Sequence, residues 1–422
     1  KQEKERMNLK LKKGVLWGNG LLISLLILVF FYDVFSEAIG FYDEFLGLMG
    51  FVVISTRILF FGKIPIQKME FYILLLLFGI IIWGLISNVY ASHIGYTTKP
   101  PAIFADLVNF SKAFVVYFAV RFLRDSFDSG LVLDKLAFAS KYIFFVLVML
   151  IILDISFRIY PREKRFGLEA VELFFKHTSR YAFALTFIFL VLLPKYYKKN
   201  IGFLLFVLLV GSLSLRMKYF GFLFLTLIFL FYGKKLIKIP KTYFLWIMGI
   251  LVLLMVVIFR EKIEMYFSFE DIDNAWSRAI VLYYSFIIGN DFFPFGTGFG
   301  TYSSYYSGAY YSWVYDLYGI SNVYGIKREY WNFIADQYWP MVLGQFGYLG
   351  LMMMFAVTYS YFMIFLTKVK LSLGKPEYYL YLSVLLGFLM LLIDSTSDSI
   401  FSQQRAVAMF IYFALAMNTT NK

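Results

Sequence analysis

Cysteine is absent from the 422 residues, and histidine occurs only at 93 and 177. No disulfide, thiolate nucleophile or cysteine metal site is therefore available. Two histidines are too few for a histidine metal cluster. Charge is scarce as well: Asp, Glu, Lys and Arg make up 16% of the chain, against 61% hydrophobic residues. Soluble globular chains carry about a quarter charged residues. A soluble fold of this length could not hide so much apolar surface, and a disordered chain needs the opposite composition.

Long apolar runs fill the chain instead, recurring from residue 15 to residue 418. Mean hydropathy is +0.71. Runs of about 20 apolar residues suit a bilayer-spanning helix, whereas a membrane β-barrel shows alternating segments of about ten. The predicted fold class is an all-α polytopic membrane protein. Candidate spans are 15–35, 44–61, 71–89, 103–122, 136–158, 178–196, 201–215, 219–232, 241–259, 339–366, 376–393 and 401–418, about twelve helices. The short pair 201–215 and 219–232 reads as one broken helix or as a re-entrant hairpin.

The formal net charge is +13, and its placement sets the expected topology. Residues 1–13 carry a lysine and arginine excess, and the run after them is too long for a signal-peptide core. It is expected to stay as a first anchor. Connections 62–70, 121–135, 195–200, 233–241 and 368–377 are rich in Lys and Arg, whereas 33–44 and 394–398 are acidic. The positive-inside rule then places both termini in the cytoplasm. The expected organisation is one integral domain in three stretches. Residues 1–259 hold nine helices, 260–338 form a polar and aromatic outer cap with a helix near 275–288, and 339–422 hold three helices. A connection as long as 260–338 is usually functional.

Several arginines fall on the outer side, where that rule should exclude them: Arg162, Arg165, Arg180, Arg216 with Lys218, Arg260, Arg278, Arg328 and Arg405. Arg216 is the sharpest case, lodged between two short apolar runs. An ionisable group at membrane depth usually faces a cavity and a partner, and a guanidinium fork matches phosphate oxygens in a bidentate way. The set points to an outward site for a lipid-linked phosphate. Snorkelling to anionic headgroups accounts for any single arginine.

Within the insertion, Gly296, Gly298 and Gly300 alternate through 294–302. They permit positive φ and a close backbone approach, as in any loop turn, and no strand and helix frame them as a dinucleotide fingerprint. Tyr302 opens a run of aromatics reaching Tyr318, suited to sugar faces or to an interfacial belt. Asp336 precedes an apolar helix. Desolvation would raise its pKa and suit it to general-base work, and an N-cap role is equally open. Glu270, Asp271, Asp273 and Glu329 compete with it, and no carboxylate pair at fixed spacing marks a glycosidase dyad. His93 reads as a loop residue and His177 as a helix cap. No P-loop, nucleophile elbow or nucleic-acid surface is visible.

The order of these features resembles the O-antigen polymerase and O-antigen ligase superfamily of bacterial envelope enzymes. Arg165-Phe166-Gly167 followed by Thr178-Ser179-Arg180-Tyr181-Ala182 is similar to the family's Arg-x-x-Gly loop leading into a helix. Ser214-Leu215-Arg216 resembles its Ser/Thr-x-Arg. Trp276-Ser277-Arg278, then 293–302, resembles its arginine followed by a proline- and glycine-rich segment. Asp336-Gln337-Tyr338, then Gly344-Gln345-Phe346-Gly347-Tyr348-Leu349-Gly350, resembles its His-Asn-x-(Tyr/Phe) followed by Glu-x-Gly-x-x-Gly. Asp336 stands where the ligases have a histidine proposed as base, which favours the polymerase branch.

The resemblance implies a GT-C-like fold in the bacterial cytoplasmic membrane with its active site facing outward. It implies a glycosyltransferase that needs no metal, cofactor or nucleotide sugar. Donor and acceptor would both be undecaprenyl-diphosphate-linked oligosaccharide repeat units. Membrane lipid and a chain-length regulator complete the expected partners, with no nucleic acid. The catalytic set is Arg216, Arg278 and Asp336. The binding set is Arg165, Arg180, Lys218, Gly298, Gly300, Tyr302 and Tyr338. The rival readings are a ligase, a lipid-linked oligosaccharide flippase and a non-catalytic scaffold.

Overall fold

The computed structural model describes residues 2–61, 66–238 and 276–419, with isolated positions between 243 and 260. The span expected at 241–259 is covered only at those isolated positions. Glu270, Asp271 and Asp273 lie outside the described residues.

Among the described residues, the apolar runs become helices. They are α1 (Gln2–Leu26, continued by a π-helical turn Ile27–Phe31), α2 (Tyr42–Phe61), α3 (Lys68–His93), α4 (Pro100–Phe122), α5 (Ser129–Phe157), α6 (Thr178–Tyr196), α7 (Ile201–Ser212), α8 (Met217–Leu236), α9 (Ser277–Asp291), α10 (Tyr338–Leu371), α11 (Tyr378–Ser395) and α12 (Gln404–Asn418). Among the described residues, nine helices are long and apolar enough to cross a membrane. This is a helical polytopic membrane protein. Polar residues set several starts. Asp128 accepts from the backbone N–H groups of Gly130 and Leu131 ahead of α5, and Gln67 with Glu70 closes a capping box on α3, in each case satisfying helix-end donors.

Burial separates centre from rim. The spans of α6 and α11 are 78% buried, against 22% for the span through α2. α12 is buried at every position. At 15 residues it is about 22 Å long, short of a hydrocarbon core of about 30 Å, so protein and not lipid surrounds it. It packs on α4, while α10 lies against α3 and α11, and α2 against α4. Gly47 and Gly50 let α2 approach Lys112, Val115 and Ala119 of α4 closely, as small residues do between membrane helices. The pair α7 and α8 is a hairpin, since the Tyr219 hydroxyl donates back to the Leu208 carbonyl at 2.9 Å. The chain reverses at 213–216 instead of running on as one broken helix.

Contacts sort the connections into two ends. At one end Arg180 meets Asp33, Lys218 meets Asp394 and Trp339 meets Ser395. At the other, Arg121 clamps Glu70: Nε donates to Oε1 at 2.7 Å and Nη2 to Oε2 at 3.0 Å. Tyr117 adds a bond to Oε1 at 2.6 Å, and Nη1 reaches Asn418 Oδ1 at 2.5 Å. That buried cluster ties α3, α4 and α12 together.

The described part of the insertion packs around its own core of Ile280, Val281, Ile288, Tyr302, Val314 and Tyr315, with others. The helix expected at 275–288 is α9. The insertion is fixed to the bundle through a break in α10, where Gly347 adopts φ 63° and ψ −169°. The carbonyls of Gly344 and Gln345 accept from Thr297 N (3.0 Å) and Gly298 N (2.7 Å). A Cβ on Gly347 would stand 2.5 Å from the Pro294 carbonyl oxygen, so only glycine fits there.

Candidate functional site

The end holding Asp33 and Asp394 also collects the charges that an apolar chain can least spare. Two loops deliver the central pair. A two-residue turn, Phe166 (φ 52°) and Gly167 (φ 75°), folds 164–169 into a small antiparallel hairpin carrying Arg165, the turn geometry that suits the twist of its arms. Lys176 (φ 55°) precedes His177, and Leu215 (φ 49°) precedes Arg216. Left-handed backbone at non-glycine residues costs roughly 1–3 kcal/mol each, and such strain clusters at functional sites.

His177 holds the N-cap position of α6, its Nδ1 donating to the Ser179 hydroxyl at 2.5 Å. Arg216 crosses to it: Nη2 donates to His177 Nε2 at 2.7 Å, and Nε donates to Thr178 Oγ1 at 2.5 Å. Glu163 Oε2 stands 3.8 Å away. An accepting Nε2 means a neutral imidazole. Burial, with Arg216 and then Arg405 and Arg180, pushes His177 down to about 4. Arg216 is itself drawn down to about 10 by burial and by Arg165, Arg278 and Arg405, against Glu163. It stays charged at neutral pH, and its hydrogen bonds go to neutral groups.

Arg278, in the first turn of α9, donates from Nε (3.1 Å) and Nη2 (2.9 Å) to Asp336 Oδ2. Burial raises the Asp336 carboxyl above its usual range, and Asp398 adds to the rise, while Arg278 and Lys218 oppose it. Asp336 does not cap α10; Gln337 holds that position. Lys218 lies 3.6 Å from Asp394 Oδ1. Arg405, 5% exposed, pairs with Asp398 and donates to Gln403. Burial works against ionisation of Asp398, yet Arg405 and Lys218 outweigh it and hold the carboxyl low. Arg180 pairs with Asp33, whose carboxyl burial raises.

The structure thus brings Arg216, Arg278, Arg405, Arg165, Arg180, Lys218 and Asp336 to one end, in each other's fields. Asp33, Asp394, Asp398 and His177 join them; the sequence marked their stretches as acidic or capping but gave no partners. Arg165 bonds Glu163 at 2.6 Å. Arg162 pairs with Asp154 and Glu169, and Arg328 with Asp316 at an exposed position.

Four expected binding residues are placed differently. Gly298 faces Asn88, whose side chain would meet its Cβ at 2.4 Å, and Gly300 N donates to buried Asp106 at 2.7 Å. The Tyr302 hydroxyl donates to the Val281 carbonyl at 2.7 Å inside the insertion. Their backbone freedom and ring serve the approach of loop to helix, so these three present no surface to a sugar. Tyr338 is fully buried between Trp339 and Phe401, a packing position at the helix start.

Chemically, the cluster offers a half-desolvated guanidinium, hydrogen-bonded to neutral groups with Glu163 at 3.8 Å, beside a carboxylate–guanidinium pair. The first suits an anionic oxygen, and the second can hold or release a proton. No family model matches the chain, and no curated protein matches it.

Proposed function

We propose that this protein is a glycosyltransferase of the cytoplasmic membrane that polymerises diphosphate-lipid-linked oligosaccharide repeat units on the outer face. The observation that carries the reading is the gathering of cations at one end of the bundle, with Arg278 and Lys218 acting on Asp336, and Arg216 in the field of Arg278 and Arg405. Twelve spans, a 260–338 cap over that end, cytoplasmic termini and an outward site belong to the same reading.

A lipid diphosphate is already a good leaving group. Arg216 and Arg278 would hold its oxygens and stabilise the charge that develops as the sugar C1–O bond breaks. The electron pair leaves with the diphosphate. A hydroxyl of the incoming repeat unit forms the new bond to C1, and Asp336 takes its proton. A carboxyl raised by burial is better matched to that task than an ordinary one. Arg165, Arg180 and Lys218 would set the register of the two lipid diphosphates.

Purified protein in liposomes, given the native lipid-linked repeat unit, is expected to yield a ladder of glycans. Folded Arg216→Ala and Arg278→Ala variants should lose it. If the native unit gives no ladder yet crosses the bilayer of the vesicle, the protein is a flippase and this reading fails.

A further inference from the structure

α9 is apolar on both faces. Ile280, Val281 and Ile288 point inward and are at most 1% exposed, while Tyr283 and Phe286 are 51% and 49% exposed, as is Phe293 beyond the helix at 64%. Its charges are confined to Arg278 in the first turn and Asp291 at the end. A soluble helix keeps a polar outer face. At 15 residues it is about 22 Å long and cannot span a core of about 30 Å.

Its neighbours say what covers the outer face. The inner side packs on α10, where Gly289 meets Leu343 and Tyr348, and the Tyr348 hydroxyl donates to Asn290 at 2.8 Å. Past α9, Phe295 packs against Trp83 and Tyr90 of α3. Both partners carry bare apolar flanks, with Met352 of α10 60% exposed and Val89 of α3 70% exposed. The exposed apolar face of α9 therefore sits on a helix packed against α10, whose own flank is bare and apolar, with the segment just past it against α3, which is bare likewise. Aromatic side chains at its level match those enriched where hydrocarbon meets headgroup.

We infer that α9 is an interfacial helix, sunk by its Tyr283–Phe286 face into the bilayer leaflet at the arginine end. Such a helix lies in the plane of the membrane with its apolar side about 5–10 Å below the headgroups. Its partner is the lipid surface itself. One consequence rests on the proposed function: Arg278 then stands at headgroup level, where a lipid diphosphate can be gripped without leaving the leaflet.

The chain's lack of cysteine makes the test direct. Single variants Phe286→Cys, Tyr283→Cys and, at an exposed position beside Tyr330 and Phe333 of the insertion, Tyr324→Cys carry an environment-sensitive fluorophore. Each is reconstituted in phosphatidylcholine–phosphatidylglycerol liposomes. Acyl-chain bromine should remove most of the signal at 283 and 286 and little at 324, with aqueous iodide giving the reverse. Iodide quenching at 283 and 286 equal to that at 324 overturns the inference. So does shielding of 283 and 286 from both quenchers, which would mean that a second copy covers the face. None of these readings requires turnover, so a failed polymerase assay leaves the test intact.

Discussion

Replacing Arg278 with alanine removes two things at once. It deletes the guanidinium proposed to hold the departing diphosphate, and it deletes the two bonds at 3.1 and 2.9 Å that hold Asp336 Oδ2. The first loss acts on the barrier. Removing a preorganised donor to a developing oxyanion costs about 2.7–4 kcal/mol, roughly 10²–10³ in rate. The second acts on the pH profile. Burial raises the Asp336 carboxyl and Arg278 opposes the rise, so its removal sends the pKa higher still. A base works only when ionised, so the acid limb of the rate profile must move to higher pH. The pair is also expected to couple with Asp336→Asn by about 0.5–3 kcal/mol, as neighbours in one network do. Arg278→Lys should keep part of the charge effect and lose the fork. The assay is single-time-point ladder formation across a pH series, with folding checked by size-exclusion. A rate within a factor of a few of wild type, or an acid limb that stays in place, would refute the assignment of Arg278.

Three further outcomes can be measured on the same protein. Glu70→Gln should destabilise the bundle by about 3–5 kcal/mol, because a buried Arg121 loses its counter-charge; a thermal unfolding midpoint in detergent unchanged from wild type would count against it. Gly298→Ala must accommodate a Cβ 2.4 Å from Asn88 at φ 89°. It should lower stability by about 1–3 kcal/mol from overpacking alone, and smaller losses would mean that the loop is not seated as described. His177 is held near 4 against an ordinary 6.5, so the unfolded chain binds its proton first as pH falls. Stability is complete above about 6.5 and declines toward about 4, screened by the exposure of the ring; His177→Gln should flatten that part of a pH–unfolding curve.

The helices were legible because each rests on a local property, an uninterrupted apolar run. The reversal at 213–216 was legible as a break but not as a turn, since only the Tyr219 contact with Leu208 decides it. Arg216 and Arg278 stood out as charges in the wrong place. Their partners did not: Arg278 and Asp336 are 58 residues apart and Arg180 and Asp33 are 147 apart. Pairing at such separations is set by how helices pack, not by spacing. The alternate glycines announced unusual backbone. Whether that freedom admits a ligand or a helix depends on what approaches it, and here Asn88 and α10 do. The break at Gly347 was hidden for the same reason, because its cause is a segment some 50 residues earlier.

The seating of 294–302 on Asn88, Asp106, Gly344 and Gln345 has a consequence for exchanging parts between such proteins. A chimaera that swaps only the 276–338 segment would leave two α10 carbonyls without the backbone N–H groups that meet them and strand buried Asn88 and Asp106 without partners. The smallest transplantable unit is therefore discontinuous. It comprises the insertion, the halves of α3 and α4 that carry Asn88 and Asp106, and α10 from Tyr338 to Gly347.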